Sequence, residues 1–514
     1  MRRLTATTIL VAVAACSPTR RPALTPGPSP ARLAAADAEL RAGCLDCLIA
    51  AYEQYTSLRG TPGAEPAATA GAIRAAVLVA LRERELGMID DGYGAKAREL
   101  ITANEQVSPA LAALPDIADT LPASRGGIGH AVSTDAALER LRALRQHRDA
   151  WLALLRNAAH DEVAAAYVWV AVACDAVDAP MLAPTEIFDV ASAFAGAPLV
   201  VYREALCRRT DVPTLESILA ADPRFVETAY SIGFAALAAR PPQLDEADQW
   251  FRRAYAWRPK WPSLTLAMGG VALSGEEFER ARGLYEETLA LEPHSGDAMF
   301  GDLRALTYAG APQEAIAMAD RMIADRWSVG DARYWRAFNE LQLSRLDEAW
   351  QDVEDAARTL IDAQVPKLAG LIAYRRQQLD VAIARFTTSF ERNPLDCETR
   401  FYLGVVHADR QHWPQTADAL AGAAECFQNA EIGLTEEIAR IRASTLADDR
   451  KARQIARREQ QVADGRRRIA ASWFDIAVAD YSLSKRDEAR AFAEKVSGDE
   501  QFGERARALL ARMR

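Results

Sequence analysis

The cysteines and histidines are the residues whose types and spacing could do chemistry. Residues 42–48 read A-G-C-L-D-C-L, which sets Cys44 and Cys47 three apart. That spacing serves dithiol redox sites, covalent haem attachment and half of many zinc sites. Haem attachment needs a histidine after the second cysteine, and Leu48 stands there. Zinc needs further ligands, and no second close cysteine pair exists. A redox dithiol of thioredoxin type follows a strand, and none is legible ahead of Cys44. The pair reads as a local staple across the first turn of a helix. A redox-active or regulatory dithiol is the alternative.

The six histidines, His130, His147, His160, His294, His407 and His412, form no H-E-x-x-H motif. His407 and His412 lie five apart, a spacing that does not put two rings on one helix face. No G-x-S-x-G, phosphate-binding loop or dinucleotide fingerprint occurs, and R-G-G-I-G-H at 125–130 reads as a loop. The acids follow helix-surface spacing, and no carboxylate pair stands out. No catalytic residue, metal ligand or cofactor is assigned. The chain reads as a non-enzyme, with an unrecognised active site in 60–220 as an alternative.

The elements that carry these residues come next. The chain has 514 residues, half of them apolar, and a net charge of −10. That length allows several domains or one long repeat array. The charge argues against nucleic acid as a partner, because a phosphate-tracking protein carries a basic surface.

The chain begins MRRLTATTILVAVAAC. Two arginines precede a short apolar run at 4–15, too short to span a bilayer as a mature helix. With Val13-Ala14-Ala15 before Cys16, this resembles a bacterial lipoprotein signal (1–15). The resemblance implies cleavage before Cys16 and lipidation of its thiol. Ser17 rather than aspartate follows, which in such families favours the outer membrane. The expected location is the periplasmic face of that membrane, with surface exposure as the other face. Residues 16–30 contain five prolines and no helical period, which suits an extended tether.

With Cys16 lipidated, six cysteines remain, and export exposes them to an oxidising compartment. Six cysteines allow 15 pairings. Cys174 and Cys207 lie 33 apart, and Cys397 and Cys426 lie 29 apart. Both separations suit partners on antiparallel helices, with Cys44 and Cys47 pairing locally.

Self-similarity dominates the middle of the chain. The tetrads L-D-E-A, F-E-R-A, P-Q-E-A and L-D-E-A end at Ala247, Ala281, Ala315 and Ala349, at steps of 34. L-D-V-A puts Ala382 a further 33 along. Phe251, Tyr285 and Phe386 follow three of these alanines by four residues, and Pro259, Pro293 and Pro394 follow by 12. Gly269, Gly370 and Gly404 supply small positions upstream. This pattern resembles the tetratricopeptide repeat (TPR). The resemblance implies two antiparallel helices per repeat, A and B, with alanine at their close approach and proline ending helix B. The sequence departs from the pattern in two ways. Ala238, Ala272 and Leu306 stand at the helix A tyrosine, and Trp327 stands where a proline is expected.

The expected fold is all-α, an α-solenoid of antiparallel helix hairpins forming a TPR-like superhelix. Residues 31–220 read as an irregular TPR-like helical domain and 221–430 as the TPR array. Residues 431–469 read as one long charged helical segment, solvated or capping, with a basic face for an acidic partner or lipid headgroups as the sharper reading. Residues 470–514 read as a degenerate repeat, because Trp473 precedes Ala489 by 16.

In the family the A helices line a concave groove that holds a peptide or a partner's helix. Carrying the repeat phase over, the groove positions are Phe300, Arg304, Tyr308, Tyr334, Phe338, Lys367, Tyr374, Arg375 and Phe401. The paired asparagines and lysines of carboxylate-clamp repeats are missing, and Lys367 alone makes no clamp. The expected function is a lipid-anchored scaffold that docks a protein or peptide. The alternative is a glycan- or nutrient-binding lipoprotein serving an outer-membrane transporter. Oligomeric state has no signature.

Overall fold

The computed structural model describes residues 29–121, 135–175, 187, 190, 192–194, 196–207 and 210–513. Cys16, the leader and the glycine-rich loop at 125–130 lie outside the described residues. Among the described residues the chain is helical with no strand, and each helix packs on its sequence neighbours. No described helix is long and apolar enough to cross a membrane.

The N-terminal part comprises α1 (Ser29–Ala42), α2 (Leu45–Leu58), α3 (Glu65–Leu86), α4 (Tyr93–Thr102), α5 (Pro109–Thr120), α6 (Asp135–Leu155), α7 (Ala158–Asp161), α8 (Val163–Asp175), α9 (Pro198–Cys207) and α10 (Val212–Ala221). Helix α1 begins at Ser29, inside the segment read as tether. Helix α3 carries apolar side chains on nearly every face and is buried almost throughout. One hydrophobic core runs from Ala36 to Val271, so packing is continuous across position 220. The indole Nε1 of Trp261 reinforces that continuity by donating to the Leu86 carbonyl at 2.6 Å.

The repeats follow as α11 (Glu227–Ala238), α12 (Leu244–Trp257), α13 (Pro262–Ser274), α14 (Phe278–Leu291), α15 (Gly296–Tyr308), α16 (Pro312–Ala324), α17 (Val329–Gln342), α18 (Leu346–Ala356), α19 (Gln364–Arg375), α20 (Leu379–Arg392) and α21 (Cys397–Asp409). Ala247, Ala281, Ala315, Ala349 and Ala382 are all fully buried. The aromatic one turn later fills the slot left by a glycine on helix A. A Cβ on Gly233 would lie 2.6 Å from the Phe251 ring, one on Gly269 2.7 Å from the Tyr285 ring and one on Gly370 2.7 Å from the Phe386 ring. Trp327 replaces the expected proline with a packing role. Its indole covers Gly296 and lies 5.9 Å from the Phe300 ring.

Residues 431–469 are not one helix. They divide between α22 (Trp413–Ala443) and α23 (Asp448–Ser482), of 31 and 35 residues. At 1.5 Å per residue these are about 46 and 52 Å long, far beyond a repeat helix. A four-residue turn, Ser444 to Ala447, folds them antiparallel. The far half of α23 then begins the last hairpin, with α24 (Arg486–Lys495) and α25 (Gly503–Arg512). Ala489 is fully buried there.

Three disulfides join Cys44 to Cys47, Cys174 to Cys207 and Cys397 to Cys426, with Cα separations of 4.9, 5.8 and 5.4 Å. The first lies at the N-terminus of α2, just after Gly43, whose φ of +73° turns the chain out of α1. Both its side chains are buried, so no incoming thiol reaches the sulfurs in this structure.

Candidate binding site: the A-helix face and the arm across it

Helix α15 places Asp297, Phe300, Gly301, Arg304 and Tyr308 along one face, because residues three and four apart on a helix are neighbours. Helix α13 adds Leu266, Gly270 and Leu273. Opposite them stand Arg457, Arg458 and Gln461 of α23. Together these walls line an open cleft of about 510 Å³.

Its rim is aromatic and cationic. The Phe278 and Tyr308 rings lie 5.5 Å apart, and the Arg457 guanidinium sits over both, at 5.6 and 5.5 Å from their centroids. Such contacts attract a cation to the electron-rich ring face. Arg304 lies 5.9 Å from the Phe300 centroid. Glu276 accepts from Arg458 at 2.5 Å and lies 3.6 Å from Arg457, and Arg458 also reaches Glu437 at 3.0 Å.

The nine groove positions do not form one continuous surface. Phe300, Arg304 and Tyr308 line this cavity. Tyr334 and Phe338 of α17 pack toward the next repeat, and burial pushes the Tyr334 phenol up to about 12. Lys367 of α19 is engaged within the array, 3.0 Å from Asp396 and 2.7 Å from Glu398. Burial works against its charge, but Glu398 and Asp396 outweigh burial and raise its pKa. Tyr374 donates to Asp409 at 2.9 Å, and burial together with that carboxylate raises its phenol to about 12. Arg375 is exposed, with an Nη atom 3.4 Å from the Ser344 hydroxyl. Phe401 meets Phe427 of α22 edge-on at 6.3 Å, beside the Cys397–Cys426 bridge. It roots the arm.

The basic stretch of α23 meets acids of the same chain. Arg468 pairs with Glu398 at the root. Arg450 Nε lies 2.8 Å from Asp245, and Arg450 and Arg453 each lie 3.1 Å from Glu277. Residues 450 and 468 on one helix are about 27 Å apart, so the arm bridges the A-helix face from the repeat of Glu398 to that of Asp245. The sequence shows the excess of arginine in this stretch. It does not show which of the chain's 71 acids lie opposite.

His407 and His412 do come together, against the helical-face expectation. Helix α21 ends at Asp409, and Gln411 takes a φ of +58°, which folds His412 back. The two Nδ1 atoms lie 3.2 Å apart. Among the described residues, no three His, Cys, Asp or Glu side chains gather as a metal-holding group.

No family model and no curated protein matches the chain. Among solved structures it is similar to YrrB, described as a TPR protein with an unusual peptide-binding site, at 19% identity over 34% of this chain and 91% of that one, with a TM-score of 0.30. A tetratricopeptide repeat protein from Parabacteroides merdae matches at 12% identity over 56% and 98%, with a TM-score of 0.34. The Cut9–Hcn1 hetero-tetramer of the APC/C matches at 13% identity over 95% and 96%, with a TM-score of 0.40. It is the chain's own hairpin pairing and buried 34-residue alanine period that make it an α-solenoid of tetratricopeptide-type repeats.

Proposed function

We propose that this chain is a lipid-anchored docking scaffold at the periplasmic face of a bacterial outer membrane, and that it receives a segment of a protein partner in the cavity between α13, α15 and α23. It works by binding rather than by turnover. The observation that carries the binding role is the cavity itself. Phe300 and Tyr308 offer flat apolar anchors, Arg304 offers a cation beside them, and Gly270 leaves room for close approach. The anchor rests on the leader, Cys16 and the proline-rich segment after it.

Crosslinking and pull-down from native membranes tests the binding role. Tyr308→Ala and Arg304→Glu are expected to lose the partner that the wild-type chain retains, while the thermal unfolding midpoint stays close to wild type. Retention of every wild-type partner by both variants would overturn this reading. For the anchor, Cys16→Ala is expected to abolish labelling by a lipid analogue and release the chain from membranes. Membrane binding that persists unchanged in Cys16→Ala removes the anchor.

A further inference from the structure

We infer that the α22–α23 arm is an ionic latch, hinged at its disulfide-bonded root, whose release opens the A-helix face. The two ends of the arm are held by different physics. The root is covalent and apolar. Cys397–Cys426 ties α22 to α21, and Ala423, Phe427 and Ile469 form a core with Phe401 and Trp473.

The tip is held by charge. Arg450 and Arg453 face Asp245 and Glu277, and Arg457 and Arg458 face Glu276. The Ala447 amide donates to Asp245 at 2.6 Å. Arg457 adds its two ring contacts. The hydrophobic clusters around α13 to α16 include no residue of the arm's tip. Water and salt reach these pairs unevenly. Arg450 is nearly buried, whereas the Arg453 and Arg457 side chains are more than one-third exposed.

Ion pairs open to solvent weaken as salt screens them and buried ones much less, whereas apolar contacts and a disulfide do not. The root therefore stays while salt loosens the tip, first at Arg453 and Arg457. The tip also walls one side of the cleft, through Arg457, Arg458 and Gln461. Release would uncover Phe278 and Tyr308 together with the acids Glu276 and Glu277. The arm would be the resident occupant of the face on which the proposed partner docks. This extends the docking role, and the two can fail separately.

The test measures the distance between spin labels on the full chain at Asp448→Cys on the tip and Glu279→Cys on α14, both exposed positions. At about 0.1 M NaCl one short separation is expected, and at about 1 M a second, longer population, because the screening length falls from about 10 to about 3 Å. Arg450→Glu with Arg453→Glu is expected to give the longer population already at low salt. Adding Asp245→Arg and Glu277→Arg, which restores opposite charges, is expected to return the short one. A separation indifferent to salt overturns the latch, as does a folded charge-swapped variant that stays open. If the reversed variant does not fold, the salt series on the otherwise wild-type chain still decides. Labels that part with salt while no partner is ever retained leave the latch standing and remove the docking role. A retained partner with labels that never move does the reverse.

Discussion

The ring of Tyr285 lies in a slot whose far wall is Gly301, and a Cβ placed on Gly301 would overlap that ring. Tyr285 belongs to one repeat and Gly301 to helix A of the next, while Gly269 of its own repeat forms the near wall. One aromatic thus sets the spacing within a repeat and between two. Replacing Gly301 by alanine forces that ring or the helix to move. Overpacking of this kind costs about 1–3 kcal/mol. Gly301→Ala is expected to lower the denaturation midpoint, whereas the same change at Gly283, which has open space around it, is expected to be neutral or mildly stabilising.

The buried Arg82 guanidinium lies 3.2 Å from Glu85, 3.5 Å from Glu227 and 4.1 Å above the Tyr202 ring. Glu227 in turn accepts from the Leu45 amide at 2.8 Å, which ties the first repeat to the stapled turn at Cys44. Arg82→Met leaves the Glu227 carboxylate in the core without its cation, while Glu85 keeps Arg203 at 3.7 Å, and is expected to cost about 3–5 kcal/mol. Arg82→Met with Glu227→Gln is expected to cost less, and equilibrium unfolding of the pair against each single variant measures the difference.

Burial pushes the Glu340 carboxyl up to about 7, with nearby Asp352 adding to the rise and Arg336 opposing it. The folded state then holds a proton that the unfolded chain releases near its ordinary value of 4.5. Stability is therefore fully present below pH 4.5 for this group and falls as pH rises toward 7. Glu340→Gln removes that fall. It is expected to stabilise the array by about 1–2 kcal/mol at pH 8, once solvent screening is allowed for, and by little at pH 4. Denaturant midpoints at the two pH values check this.

The Cys397–Cys426 bridge closes 29 residues. In the chain-entropy account, a loop of this size stabilises by roughly 3–4 kcal/mol. Cys397→Ala with Cys426→Ala is expected to lower the unfolding midpoint by a corresponding amount and to raise hydrogen exchange first in α22. Equal exchange in the two proteins would show that the aromatic root holds the arm without help.

The array was legible because its signals are local and repeated. Ala247, Ala281 and Ala315 are buried for the same reason in each repeat, and a periodic requirement leaves a periodic trace. Gly233 packs on Phe251 in the same way, but it stands 18 residues before that ring where Gly269 and Gly370 stand 16 before Tyr285 and Phe386, so the regular spacing does not pick it out. The candidate site was legible only in part. The repeat phase puts Phe300, Arg304 and Tyr308 on one face, but it cannot tell an open position from one already engaged. Lys367 and Phe401 share that phase and are taken up by Asp396, Glu398 and Phe427.

By itself the amino-acid sequence determined the helical class, the repeat period, the four cysteines that helical hairpins could bring together and the two that could pair across one turn. Those follow from spacing along the chain, which is all that helix periodicity requires. Only the tertiary structure decided that the charged stretch at 431–469 folds in two and that its arginines meet Asp245, Glu276 and Glu277. Charges attract without regard to sequence separation, and each arginine has many equivalent acids to choose from. The choice is made by the curvature of the stacked repeats and the reach of a 35-residue helix, which no local pattern encodes.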